Sequence, residues 1–267
     1  MRAKSLPLLA VSVLPLACSS APQDHALPEA GAGSSSAGAA TNAGGSASDA
    51  TLIAPEGLFV TPHPGGCGAL DVVALTLRAG ANNGELYAAL KNGGETPACS
   101  PAFSVQLFDR TEQMLANGLA GLLVKRFYRL TDGSNTIAAC VGPGDTTMVA
   151  ITDLPADLAL TDVARVEYWC NFWALDVVET SGLRVGNVRA VAREDGVAYT
   201  GALENGFDVA LESPTVAVFP LNRAGRPLGI ARGQGTLAVP PGGGWDFETD
   251  TVSDAGVAFA AYPAGGP

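Results

Sequence analysis

The sequence predicts an all-β protein: two tandem antiparallel β-sandwiches behind an export signal and a linker. Three observations carry that expectation. Apolar residues alternate in short runs, as in Phe103, Val105 and Leu107 set between Ser104 and Gln106, which is the period of a half-buried strand. Gly, Pro, Asn and Asp break these runs at turn positions, and no stretch of a dozen residues keeps a helical period. The folded region also matches itself at a fixed offset, so it is expected to be two modules and not one domain.

The first 18 residues are expected to direct export. Arg2 and Lys4 precede an apolar stretch from Leu6 to Ala17, broken by Ser12 and followed at once by Cys18. Twelve helical residues reach about 18 Å, short of the ~30 Å hydrocarbon core, so this is a signal-peptide pattern and not a spanning helix. Leu14-Pro15-Leu16-Ala17-Cys18 resembles a bacterial lipobox. That resemblance implies a lipid on Cys18 and, with Ser19 following it, an outer-membrane anchor; the competing reading is ordinary cleavage after Ala21. From Ser19 to Ala50, Ala, Gly and Ser supply 22 of 32 residues. Such a segment cannot bury enough surface to offset its ordering entropy, so residues 19–52 read as a disordered tether with a reach on the order of 30 Å. His25 falls inside it as a solvated bystander.

Residues 53–174 and 175–267 are the two expected sandwiches. At an offset of 113, Ala89-Leu90-Lys91-Asn92-Gly93 lies on Ala202-Leu203-Glu204-Asn205-Gly206, and nine of the 27 positions from Ala89 to Leu115 are identical. At an offset of 112, Gly84 and Tyr87 fall on Gly196 and Tyr199, and the one-residue change points to a bulge. Pro143-Gly144 and Pro241-Gly242 occupy equivalent hairpin turns, with roughly fifteen extra residues in the first copy. Asn83-Gly84, Asp195-Gly196, Asn92-Gly93 and Asn205-Gly206 read as tight turns with positive φ. Asn222-Arg223-Ala224-Gly225 reads as a further turn, between strands Val216–Leu221 and Pro227–Ile230.

Val105-Gln106-Leu107-Phe108-Asp109 resembles the F-x-L-Y-D signature of a group of bacterial immunoglobulin-like domains, with Val for Phe and Phe for Tyr. The second copy reads Val218-Phe219-Pro220-Leu221-Asn222, followed by the turn and by Pro227-Leu228-Gly229, which is similar to that family. The resemblance spans both halves. It implies immunoglobulin-like sandwiches that serve as extracytoplasmic binding or scaffolding modules, with no catalytic residues to carry over.

Five cysteines divide as one plus four. With Cys18 in the lipobox, Cys67, Cys99, Cys140 and Cys170 remain, all in the first copy and spaced by 32, 41 and 30 residues. An even set in an exported chain reads as disulfides, with three pairings open, and the spacing holds no compact zinc cluster. His63, in Pro62-His63-Pro64-Gly65-Gly66-Cys67, reads as a turn residue beside a disulfide; the sharper reading, a Cys-His nucleophile, needs Cys67 unpaired. The glycine-rich turns lack the Lys-Ser/Thr ending of a phosphate loop. Asp153, Asp157 and Asp162, and Asp246, Glu248, Asp250 and Asp254, are the acidic clusters. Alternation sets Asp246, Glu248 and Asp250 on one solvated face, and no EF-hand spacing is present. Neither a metal nor a cofactor is expected.

The most informative surface candidate is the strand Arg165–Trp173. Its face opposite Val166 and Tyr168 carries Arg165, Glu167, Trp169, Asn171 and Trp173. Two exposed tryptophans are costly, so Trp169 and Trp173 are expected to pack against the second sandwich or to meet an external ligand or glycan.

A net charge of −11, from 15 basic and 26 acidic side chains, excludes nucleic acid, which needs a basic surface. Residues 51–174 and 175–267 carry −5 each, so neither half is an electrostatic binding face. The expected function is a non-catalytic, outer-membrane-anchored lipoprotein with modules for binding or scaffolding. Its partners are the membrane, through the N-terminal lipid, and an envelope protein or glycan. Two other readings stand beside it: an accessory subunit of an envelope complex, and a secreted hydrolase using acidic residues.

Overall fold

The computed structural model describes residues 58–264 apart from 65, 81–82, 100–101, 135, 171–174 and 181. The expected signal, the lipobox Cys18, the tether with His25, Asn171 and Trp173 lie outside the described residues. The described chain is all-β, apart from one short 3-10 turn at Leu160–Asp162.

The first half supplies β1 (Phe59–Pro62), β2 (Leu70–Ala79), β3 (Gly84–Asn92), β4 (Ala98–Cys99) and β5 (Phe103–Phe108). It continues with β6 (Met114–Ala120), β7 (Phe127–Leu130), β8 (Ile137–Val141), β9 (Thr146–Leu154) and β10 (Arg165–Cys170). After these come β11 (Val177–Thr180), β12 (Leu183–Arg193), β13 (Gly196–Asn205) and β14 (Thr215–Leu221). The last are β15 (Ala231–Gln234), β16 (Gly244–Glu248) and β17 (Ala258–Pro263). The sheets run β2-β3-β9, β1-β10-β5-β6 and β11-β7-β8-β4 in the first half, and β12-β13-β16 and β15-β14-β17 in the second. Every pairing is antiparallel except β1 with β10. β11 falls in the segment expected to form the second sandwich, yet it hydrogen-bonds to β7, pairing Val177 with Leu130 and Thr180 with Phe127.

The internal repeat is visible bond by bond. Asn92 and Asn205 are buried, and each plugs a loop: Asn92 Nδ2 donates to the carbonyls of Thr96 and Val141, and Asn205 Nδ2 to those of Val209 and Val239. Each Oδ1 accepts a backbone N–H two residues on, from Gly94 and Phe207. Gly144 and Gly242, at φ 73° and 70°, return N–H bonds to the carbonyls of Asn92 and Asn205. The turn after β5 repeats as well. Asp109 Oδ1 accepts from the N–H groups of Thr111 and Gln113, and Asn222 Oδ1 from those of Ala224 and Arg226. Where that turn needs a left-handed residue the second copy has Gly225 at φ 74°, but the first has Glu112 at φ 65°. The extra residues of the first copy form β7 and its turn into β8.

Several turn assignments change. Neither Asn83 nor Gly84 has positive φ; Gly84 opens β3, paired with Ala79 across a four-residue loop. The β12–β13 loop is Glu194-Asp195, closed by the pair Arg193 and Gly196. Gly196, at φ 150°, is needed for closeness: a Cβ there would lie 2.4 Å from the carbonyl oxygen of Val252. Asn92-Gly93 and Asn205-Gly206 are not positive-φ turns, because their asparagines work as buried plugs. Pro227–Ile230 is not a strand; it makes a single bridge from Pro227 to Leu221, and pairing resumes at Ala231. Tyr87 and Tyr199 are not equivalent: counting back from the matched asparagines puts Tyr199 at the place of Leu86, facing inward, while Tyr87 faces outward.

That difference explains how the halves join. One core runs through both, with the Phe127 and Phe207 rings edge to face at 5.1 Å between centroids. A second cluster of Tyr87, Ala89, Met148, Ala217, Phe219 and Tyr262 packs the outer face of β3–β9 against the outer face of β14–β17. β3 and β14 are therefore buried on both faces, which is why their sequences read as nearly continuous apolar runs and not as alternation. Polar anchors flank the contact. Arg78 Nη1 donates to the Leu228 carbonyl at 2.5 Å, its Nε pairs with Glu85 at 2.5 Å, and Tyr262 OH donates to the Thr146 carbonyl at 3.1 Å. The packing expected of Trp169 between the halves is done by these residues instead.

Candidate functional site

The outward face of the sheet β1-β10-β5-β6 is the site the fold assembles around Trp169. Alternation along β10 sends Val166, Tyr168 and Cys170 into the core and leaves Arg165, Glu167 and Trp169 half-buried on the outside. Pairing register then sets three rows across the strands. Phe59, Arg165, Phe108 and Met114 form one; Thr61, Glu167, Gln106 and Asn117 form the next; Trp169, Ser104 and Leu119 form the third. Phe59, Met114 and Leu119 at the ends of these rows are exposed, Leu119 to 64%.

The charges on this face are paired within it. Arg165 bonds both Glu112 and Glu167, and its guanidinium carbon lies 4.1 Å from the Phe108 ring centroid. Desolvation opposes the charge of Arg165, but the bonds to Glu112 and Glu167 outweigh it and hold the group above the usual arginine pKa. At the end of β5, Asp109 is held below the usual carboxylate range by bonds from Thr111 and Gln113, so it is an ionised turn cap. In the middle row the side-chain amides of Gln106 and Asn117 have no hydrogen-bond partner among the described residues.

The cysteines pair as Cys67–Cys170 and Cys99–Cys140. The first ties the loop after β1 to the end of β10, and the second joins opposed positions of β4 and β8. Two disulfides point to an oxidising, exported compartment. Cys67 is therefore no thiolate for His63. That imidazole is exposed, with Nδ1 2.9 Å from the Pro64 carbonyl oxygen and its ring 5.5 Å from the Trp169 ring.

The acidic clusters stay apart. Asp153, Asp157 and Asp162 are exposed, as are Asp246, Glu248 and Asp250. Glu248 pairs with Arg193 at 2.5 Å and Asp250 accepts the Arg232 N–H at 2.5 Å. Among the described residues no three His, Cys, Asp or Glu side chains converge as a metal site. An open depression of about 430 Å³ beside Gly206 and Gly243 holds one carboxylate, Glu204, opposite Arg184. Another of about 370 Å³, bounded by Asn83 and Leu158, holds none. No helix of the described chain is long and apolar enough to cross a membrane.

The site gathers residues that sequence alone left scattered. Gln106 and Asn117 join Trp169 only through the pairing of β5 with β10 and β6. The interface residues Tyr87, Phe219 and Tyr262 do not stand out by residue type, although the loss of alternation in residues 84–92 and 215–221 is a readable sign of two covered faces. No protein-family model matches the chain, and no curated protein matches it.

Proposed function

We propose that the protein is an exported, non-catalytic lipoprotein of the cell envelope, anchored at the outer membrane through Cys18, whose two β-sandwich modules bind or scaffold. The observation that carries this reading is the outward face of β1-β10-β5-β6, with its aromatic and amide side chains turned away from the core. The two disulfides support export, and the F-x-L-Y-D-like strings in both copies support extracytoplasmic modules. In this arrangement the halves brace each other through Tyr87, Phe219 and Tyr262, so a ligand on the Trp169 face meets a rigid sheet.

Cell fractionation and mass spectrometry of the mature N-terminus test the anchor. The expected result is a lipid-modified Cys18 in the outer membrane and release of the Cys18→Ser variant; an unmodified chain starting at Pro22 overturns it. Co-purification after gentle solubilisation tests the face. A component retained by wild type and lost with Trp169→Ala supports binding there, and equal recovery with both refutes it.

A further inference from the structure

Because the halves are repeats, each outer face of one has a counterpart in the other. Register makes the correspondence explicit: Trp169 stands opposite Ser104 as Tyr262 stands opposite Ala217, Glu167 opposite Gln106 as Ala260 opposite Phe219, and Arg165 opposite Phe108 as Ala258 opposite Leu221. In the second copy this face packs against protein, and its residues show what that requires: Ala217, Phe219, Leu221, Ala260 and Tyr262, apolar apart from one phenol. In the first copy the same positions keep the aromatic ring, as Trp169, but exchange Phe219 for Gln106, Ala217 for Ser104 and Ala260 for Glu167. A face built to bury apolar protein surface does not carry amides without partners, since each polar group left unpaired once water is removed weakens the contact. Nor does this face attract anions, because the two carboxylates of Glu112 and Glu167 outnumber the one guanidinium of Arg165. What remains is a surface without cationic excess, an aromatic plate beside a polar row, edged by the exposed Phe59, Met114 and Leu119.

We propose that the outward face of β1-β10-β5-β6 binds a neutral saccharide chain. A pyranose ring presents C–H groups on its faces and hydroxyls around its rim. The C–H face packs on the indole of Trp169, while the hydroxyls reach the row Thr61, Glu167, Gln106 and Asn117. Four strands at about 4.8 Å spacing make that row about 14 Å long, the length of roughly three sugar rings. Gln106 and Asn117 each offer an NH₂ donor and a carbonyl acceptor, the pairing a hydroxyl needs. Glu167 accepts through the oxygen that Arg165 leaves open. Phe108 takes no stacking part, since Arg165 lies over its ring.

This inference rests on the non-catalytic reading above, and one experiment separates the two. The full chain is titrated by calorimetry and tryptophan fluorescence with cellohexaose, maltohexaose, xylohexaose and N-acetylchitohexaose, and the mixtures are then checked for shortened sugars. The expected result is saturable binding of at least one hexasaccharide with a change in indole emission. Trp169→Ala should weaken it at least tenfold and Gln106→Ala several-fold, while Arg189→Ala, on the opposite end of the molecule, leaves it unchanged. Both site side chains point outward, so circular dichroism and melting temperature of the variants should match wild type. No binding of any of the four sugars at millimolar concentration by folded protein overturns the inference, and so does binding indifferent to Trp169→Ala. A protein ligand captured by this face in their place also overturns it. Shortened sugars would instead overturn the non-catalytic reading while leaving the binding face in place.

Discussion

The two buried asparagines offer a matched pair of perturbations within one chain. Asn205→Ala strands three backbone groups, the carbonyls of Val209 and Val239 and the N–H of Phe207, each bonded to that side chain at 2.9–3.0 Å. An orphaned buried group costs about 1–3 kcal/mol, and some of the space left by the side chain admits water, so the expected loss is about 3–5 kcal/mol. For a domain region of this size that corresponds to a fall of about 10 °C or more in melting temperature. Asn92→Ala strands the equivalent groups of Thr96, Val141 and Gly94. There, however, Cys99–Cys140 closes a separation of 41 residues across the same loop, which restrains the unfolded chain by about 4 kcal/mol. That restraint acts on wild type and variant alike and cancels in the comparison, so calorimetric melting should show Asn92→Ala losing about as much stability as Asn205→Ala. Asn205→Asp adds a pH test: a carboxyl facing two carbonyls is favoured in its neutral form, so its folded pKa is raised. Stability is then greatest below the usual carboxyl value of about 4 and is lost as pH rises through the folded value. An Asn205→Ala protein within about 1 kcal/mol of wild type would refute the plug.

Three further outcomes follow from the packing. Burial pushes the hydroxyls of Tyr87, Tyr199 and Tyr262 above the usual tyrosine range; their contribution to stability is whole below about pH 10 and is lost as pH climbs toward the folded values. Tyrosinate absorbance should lag and then rise together with unfolding, whereas ionisation of all five tyrosines near pH 10 in a folded protein contradicts this. Phe219→Ala opens the centre of the interface between the halves and should cost about 3–5 kcal/mol, lowering the calorimetric melting temperature; an unchanged transition counts against that interface. Replacing Cys67 and Cys170 by serine, which removes a constraint spanning 103 residues, should lower the urea midpoint by the equivalent of about 2–5 kcal/mol, and an unchanged midpoint argues against the crosslink.

Alternation, turn residues and the 113-residue offset were enough to read the strands and the duplication, because each is a local or periodic property. The Asn92 and Asn205 match is legible in the sequence but suggests turn chemistry, since Asn-Gly favours a tight turn unless a partner loop returns to bond the side chain, and sequence does not show that return. Identity pairs Tyr87 with Tyr199, yet a shift of one residue turns a strand side chain to the opposite face. Alternation along β10 places Trp169 on the outward face, but its neighbours Gln106 and Asn117 arrive from two other strands. Cross-strand register decides such company.

The packing between the halves is head to tail: the β3–β9 face of one module meets the β14–β17 face of the next, which are different surfaces of the same repeat. A contact of that kind has no built-in closure, so identical modules would go on adding to one another as a fibre. Both outer ends of this pair differ from the faces that join. At one end Gln106 and Glu167 replace Phe219 and Ala260. At the other, the β12-β13-β16 surface presents Thr200, Asp246 and Glu248 where its counterpart in the first half presents Tyr87, Met148 and Ala150. The order of the modules is thus written into their surfaces: exchanging the first for the second would bring two polar caps together at the centre and leave adhesive faces outside.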